Sequence, residues 1–145
     1  MVPEFESLAK ADWSHAVRVA AAGFGDYKTQ VIESLGSSNC EVVSAAIATL
    51  IEAESGDAHE IVVGLLDHPA GLVREEVLEY LMDFARKEDA PRLLQALIDG
   101  ENRFLVTIAL QKATGIDGPV LDEEDPGQEV QRGVEKWRTY IETQD

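Results

Sequence analysis

The sequence predicts an all-α protein built from stacked helical hairpins. Apolar residues recur at spacings of three and four along most of the chain, which places them on one stripe of a helix. Two segments, SGDAHEIVVGL and KEDAPRLLQAL, repeat the same polar and apolar pattern, so that Asp57 matches Asp89 at an offset of 32 positions. No segment alternates apolar and polar residues between tight turns, as a strand would. A lone hairpin cannot bury its apolar face, whereas stacked hairpins share one core and must restate the stripe in each copy.

The first elements are predicted to be a cap and a hairpin. In residues 1–12, Val2, Phe5 and Leu8 favour a short amphipathic helix that closes the N-terminal end of the stack. The segments WSHAVRVAAAGF and YKTQVIESL follow as the two helices of the first hairpin, and the second of them aligns with AHEIVVGLL. The helical repeats are therefore expected to span residues 13–114.

The second hairpin is predicted from EVVSAAIATLIEA and the segment that follows it. Glu41 lies three positions after Ser38, which is the pattern of a capping box at a helix start. Asp57 and Glu60 have the same spacing and can cap the return helix. The predicted buried stripe of that return helix is Ala58, Ile61, Val62, Leu65 and Leu66.

The third hairpin and the C-terminal end continue the plan. A long helix is predicted from the apolar stripe of GLVREEVLEYLMDF, and Asp89 begins its return with Pro91 in the first turn, where the missing N–H is tolerated. Gly115 ends a further helix, residues 115–127 form an acidic loop, and residues 128–145 form a capping helix with Trp137 on its apolar stripe. Residues 1–145 are expected to form a single domain.

Three segments carry a resemblance to a known family. LLDHPAGLVREEVLEYL, KEDAPRLLQALIDGENRFLVTIALQKATG and a weaker upstream copy resemble bacterial HEAT-like repeat proteins of the kind grouped with phycobilin lyases. The resemblance covers roughly residues 15–115. It implies a short right-handed solenoid of stacked antiparallel helical hairpins, capped at both ends. The usual Pro-x-Val-Arg turn is lengthened here to Pro69–Arg74, and the third copy has no proline.

Composition limits the partners and the compartment. The chain has 28 acidic and 12 basic residues, a net charge of −16, which repels nucleic acid and anionic lipid surfaces and favours a basic protein partner. The single Cys40 cannot form an internal disulfide, as suits a reducing compartment. The N-terminus has no signal-peptide pattern, and no stretch has the ~18 apolar residues of a membrane span. We therefore predict a cytoplasmic protein without membrane contact, monomeric when free.

No motif predicts catalysis, a cofactor or a metal site. GFGDYKT resembles a phosphate-binding loop, but Tyr27 precedes Lys28 where that motif requires glycine. The acidic run from Asp122 to Asp125 lacks the alternating ligands of a calcium loop. The three histidines show no metal-ligand spacing. Glu75 and Glu76 are adjacent on a predicted helix, so their side chains point in different directions. We therefore interpret them as solvated side chains and not as a catalytic acid–base pair. The sequence predicts a non-enzymatic protein.

Function is therefore expected on the surface of the stack. The resemblance implies that the second helix of each hairpin lines a concave face, so the exposed residues of those helices form a predicted contact ridge. The ridge residues are Gln30, Glu33, His59, Glu60, Val63, Arg92, Gln95 and Asp99.

Three classes of function are compatible with these observations. The first is a protein-binding module that uses an acidic concave face, including a toxin-neutralising immunity protein that inhibits a basic toxin. The second is a scaffold or an accessory, lyase-like subunit of a larger assembly. The third is a HEAT-like DNA glycosylase, which needs a basic, aromatic-rich concave face, whereas the predicted ridge offers one arginine.

Overall fold

The structure, a computed structural model, describes residues 3–143. Within that range the chain forms helices and no strand, which confirms the all-α prediction. The α-helices are α1 Phe5–Ala11, α2 Trp13–Ala22, α3 Phe24–Ser34, α4 Cys40–Glu52, α5 His59–Gly64, α6 Gly71–Phe84, α7 Ala90–Asp99, α8 Arg103–Thr114 and α9 Gly127–Thr143. Short 3₁₀ turns follow α5 at Leu65–Asp67 and precede α7 at Lys87–Asp89. Val2, which was assigned to the N-terminal cap, lies outside the described residues.

The chain divides into two compact units, Met1–Tyr80 and Leu81–Asp145, and the boundary falls inside α6. The first unit contains α1 to α5 and most of α6, and the second contains α7, α8 and α9. The organisation of residues 1–145 as a single domain stays a prediction.

Helix α4 is the centre of the first unit. It contacts α1, α2 and α3, and Val43, Ile47 and Leu50 on its predicted stripe are fully buried. Even its polar Thr49 is buried, because the hydroxyl donates to the carbonyl of Ala45 at 2.8 Å and so satisfies its hydrogen bond inside the helix. Because other helices pack against α4 on several sides, its apolar and small residues extend around most of its circumference.

The predicted capping of α4 and α5 is wrong in both cases. Asn39, not Ser38, caps α4, and its side-chain oxygen accepts from the backbone N–H of Glu41 at 2.9 Å. Helix α5 has no side-chain cap. The carboxylate of Asp57 instead forms an ion pair with Lys28 of α3, a partner distant in sequence that the local spacing could not reveal.

The buried stripe of α5 also differs from the prediction. Ile61 is 50% exposed, whereas His59, Val62 and Val63 are buried together with Ala58. Positions 59, 62 and 63 also have helical spacing, so the buried face is rotated around the helix axis relative to the predicted one. Leu65 and Leu66 lie in the 3₁₀ turn and are half-buried.

The second unit is organised around α7. This helix contacts α8 and α9, and Leu93 and Leu97 are fully buried, as the repeat pattern predicts. Pro91 lies in the first turn of α7, also as predicted. Gly100 ends α7 and Gly115 ends α8 with φ angles of 89° and 70°, a left-handed conformation that glycine adopts without a steric cost.

The segment between α8 and α9 is held in place by side chains of both helices. The hydroxyl of Thr107 accepts from the backbone N–H of Leu121 at 3.2 Å, and the amide of Gln111 donates to the carbonyl of Gly118 at 2.9 Å. From α9, the indole N–H of Trp137 donates to the carbonyl of Pro119 at 2.8 Å. The acidic segment is therefore attached to its own unit at Gly118, Pro119 and Leu121.

Candidate functional site

The first unit carries an open groove of about 740 Å³ between α2, α4 and the part of α6 that belongs to this unit. Its apolar surface comes from Val17, Ile51 and the small residues Ala21, Ala22 and Ala48. Because alanine side chains reach only a short distance from the helix axis, they leave the space above α2 and α4 unfilled at these positions. The groove thus follows from the alanine-rich sequences of α2 and α4.

Three carboxylates line one part of this groove. Glu52 is the last residue of α4, whereas Glu76 and Glu79 lie three positions apart on α6 and so share one side of the helix. Burial, the negative charge of Glu79, a hydrogen bond with its carboxyl group and the negative charge of Glu75 raise the pKa of Glu76 from 4.5 to about 7. The carboxyl group of Glu76 is therefore partly protonated near neutral pH, and a cation bound beside it would stabilise its ionised form.

Helix α2 contributes an aromatic and a basic side chain to the groove. Trp13, the first residue of this helix, is half-buried and contributes its indole to the lining. The guanidinium of Arg18 donates to the hydroxyl of Ser14 at 3.0 Å. The groove therefore combines an aromatic surface, an apolar floor and an excess of negative charge, which is the combination that accommodates a cationic side chain with a long apolar stem.

The ridge residues of α3 lie together beside the N-terminal helix. Gln30 is half-buried, and its side-chain oxygen accepts from the backbone N–H of Phe5 at 2.7 Å, so it ties α3 to the start of α1. Glu33 is exposed. Both line a second depression, of about 450 Å³, that also includes Glu4 and Glu6. An acidic surface is thus present at this end of the predicted ridge.

In α5 the predicted ridge requires correction. His59 and Val63 are buried, at 4% and 5% exposure, so neither can form part of an exposed contact surface. The burial of a polar imidazole is possible because its Nδ1 lies 3.1 Å from the hydroxyl of Tyr80 on α6. Glu60 is exposed, as predicted.

The ridge residues of α7 are all exposed. Arg92, Gln95 and Asp99 lie on the solvent-facing side of the helix, and the amide of Gln95 donates to the carboxylate of Asp99 at 3.0 Å. They follow one another at spacings of three and four, so they share one face of the helix. That the exposed ridge residues contact a partner stays a prediction.

Sequence reasoning missed the groove on the first unit. Glu75 and Glu76 were interpreted as a solvated adjacent pair, and this holds for the exposed Glu75. Glu76 instead faces Glu79, and the available signal was this spacing of three on a helix. Trp13 gave no comparable signal, because an aromatic residue at a helix start is equally compatible with the core.

Within the described part of the chain, no three His, Cys, Asp or Glu side chains are grouped as metal ligands. None of the helices in residues 3–143 is long and apolar enough to cross a membrane.

Successive helices with the same pattern of buried apolar residues define this chain as a helical-repeat protein. The family comparison makes the assignment specific: residues 29–113, more than half of the chain, match the model for HEAT repeats, and the chain belongs to that family. No curated protein and no solved structure matched the chain. HEAT repeats commonly mediate protein–protein interaction.

Proposed function

We propose that this chain is a non-enzymatic protein-binding module that holds a basic protein partner on an acidic surface. The observation that carries the proposal is the combination of HEAT repeats with a net charge of −16. Repeated helices present side chains on an extended surface, and a surplus of carboxylates attracts positive and repels negative partners over a distance of about 8–10 Å at ordinary salt. Nucleic acids and anionic membranes are therefore disfavoured as partners.

The specific form we propose is an immunity protein that neutralises a basic toxin, monomeric before it binds and acting in the cytoplasm. An inhibitor of this kind needs a stable surface of complementary charge, and no catalytic group. The alternative is a scaffold or accessory subunit of a larger assembly, including a lyase-like one, for which the repeat architecture is equally suitable. A HEAT-like DNA glycosylase is disfavoured, because the exposed carboxylates of the ridge oppose DNA binding.

Two acidic surfaces can serve as the docking site. One is the corrected ridge, which keeps the exposed residues Glu33, Glu60, Arg92, Gln95 and Asp99 and the half-buried Gln30. We retain the proposal that these residues lie on an acidic concave face. The other is the groove between α2, α4 and α6.

The proposal is tested by capture of the partner from the native cell, followed by binding kinetics at increasing salt. We expect a basic protein whose association rate falls clearly as salt rises, while its dissociation rate changes less, because charges at the rim of an interface act mainly on encounter. Capture of an acidic partner, or an association rate that does not depend on salt, would contradict the electrostatic proposal. A bound bilin, detected by its visible absorbance, would favour the lyase-like alternative.

A further inference from the structure

We propose that the groove of the first unit receives an arginine side chain, flanked by apolar residues, from the basic protein partner. This inference rests on the proposed function and adds the chemistry of the segment that is recognised. The groove lies on first helices of the predicted hairpins, α2, α4 and α6, whereas the predicted ridge lies on the second helices, α3, α5 and α7. The two surfaces can therefore be distinguished by mutation.

Charge complementarity is the first argument for this occupant. Three carboxylates, from Glu52, Glu76 and Glu79, line the groove, against the single guanidinium of Arg18. The local charge is thus negative even when one carboxyl group holds a proton. A cation that enters the groove gains attraction from carboxylates on two helices, α4 and α6, while an anion is repelled.

The shape and polarity of the groove are the second argument. The apolar floor formed by Val17, Ile51 and the three alanines can cover the methylene stem of a long side chain. The indole of Trp13 offers an aromatic surface for a planar cation. A guanidinium stacks on an aromatic ring and donates hydrogen bonds to two carboxylates at once, which a lysine ammonium does less well. These features favour arginine over lysine.

Proton exchange provides a signature specific to this groove. The charged groups that act on Glu76 are Glu75 and Glu79 on its own helix, and Glu52 on α4 and Arg18 on α2 line the same groove. With the pKa of Glu76 at about 7, a bound guanidinium should lower this pKa and release a proton. Binding is therefore expected to be tighter at pH 8 than at pH 6, because the carboxylate is ionised before the ligand arrives.

The experiment uses the intact protein and a small probe of known composition. The peptide acetyl-Leu-Arg-Leu-amide is titrated into the ¹⁵N-labelled chain, and the two tryptophan indole N–H signals are followed by NMR. The neutral isostere, in which citrulline replaces arginine, is the matched ligand. We expect the Trp13 signal to shift with the arginine peptide, the signal of the buried Trp137 to stay in place, and the citrulline peptide to bind about fivefold more weakly, as for one exposed charge pair.

Two matched variants locate the effect. Glu79→Gln removes a carboxylate that lines the groove and should weaken the arginine peptide about fivefold. Glu75→Gln removes a carboxylate that is likewise exposed and lies on the same helix but does not line the groove, and it should change affinity less than twofold. The affinity of the wild-type protein should fall between pH 8 and pH 6. An unchanged Trp13 signal, equal binding of the two peptides, or equal effects of the two variants would overturn the proposal.

The proposed function can survive the failure of this inference. If a basic partner is captured and its binding is lost on reversing Glu33 and Glu60 of the ridge but not Glu79, then the chain binds proteins and the groove is not the docking site. If the peptide binds in the groove and no basic protein is captured, then the groove recognises the side chain while the proposed function fails. Loss of partner binding with Glu79→Lys, but not with the control Glu75→Lys, supports both.

Discussion

The two tryptophans occupy opposite environments in their respective units. Trp137 of α9 is fully buried, and its indole N–H donates to the carbonyl of Pro119. Trp13 of α2 is half-buried and lines an open groove beside acidic residues. Both lie on amphipathic helices with apolar residues at helical spacing, so the pattern around them in the sequence is similar.

This difference shows how one residue type serves two purposes in a helical-repeat protein. The segment between α8 and α9 packs against the ring of Trp137. Glycine is needed where the backbone comes closest, because a Cβ on Gly118 would lie 2.5 Å from the ring. Around Trp13 the neighbouring helices carry alanine, and the space that remains stays open to solvent. The first arrangement stabilises the fold, and the second leaves a surface for binding.

Replacement of each tryptophan by alanine tests this contrast most strongly. Trp137→Ala should lower the free energy of unfolding by about 3–5 kcal/mol, because it leaves a large cavity in a core that cannot collapse fully. Trp13→Ala should cost less than half of that, since part of its surface is already in contact with water. Urea denaturation followed by circular dichroism measures both values, and equal losses would contradict the assignment of Trp13 to an open surface.

The two aligned leucines of the repeat provide a second comparison. Leu97 of α7 is fully buried, whereas its counterpart Leu65 lies in the 3₁₀ turn after α5 and is half-buried. We expect Leu97→Ala to cost about 2–5 kcal/mol and Leu65→Ala clearly less. Urea denaturation of the two variants checks the difference. If Leu65→Ala proved the more costly, the rotated register of α5 would be incorrect.

Substitution of glycine tests the close packing of the second unit. Gly118→Ala should destabilise the protein by about 1–3 kcal/mol, because its methyl group would overlap the buried ring of Trp137. Gly25→Ala in α3 is the matched control, since no atom lies within 4 Å of its added methyl group. The control should be neutral or stabilising by up to ~1 kcal/mol, because alanine favours a helix. Thermal unfolding of both variants measures the difference, and equal effects would contradict the packing argument.

The sequence predicted the fold well where a repeat and an apolar stripe agreed. Leu93 and Leu97 of α7 are buried as expected, and the core of α4 follows its stripe. In α5, the predicted stripe contained Ile61, and His59 was assigned to the exposed ridge, whereas the structure exposes Ile61 and buries His59. The hydroxyl of Tyr80, 21 residues away, makes the burial of His59 possible. A partner at such a distance cannot be inferred from local spacing.

The candidate site was harder to predict than the fold for a related reason. Exposed ridge positions follow from the helical period, and Glu33, Glu60 and Asp99 are exposed as expected. The groove, however, is lined by alanines on α2 and α4 and by carboxylates on α4 and α6, which come together only when the three helices pack. Its charge is a property of three helices packed together, and no single segment carries it.

The smallest of these effects concerns the proton in the groove. Because the pKa of Glu76 is raised from 4.5 to about 7, the folded chain keeps a proton that the unfolded chain releases above pH 4.5. Stability from this group is therefore complete below pH 4.5 and is lost as the pH rises through 7.

Glu76→Gln removes this pH-dependent loss of stability, so the variant should be more stable than wild type at pH 8 and nearly equal to it at pH 5. Solvent screening limits the gain to roughly 1 kcal/mol, or about 2–4 °C in Tm. Thermal unfolding at the two pH values measures it. The exposed Glu75→Gln is the control, and its effect should change less with pH, because the charge of Glu75 makes the smallest contribution to the raised pKa of Glu76. A gain for Glu76→Gln that is the same at pH 5 and pH 8 would mean that this carboxyl group is ionised in the free groove, and binding of the arginine peptide should then release no proton.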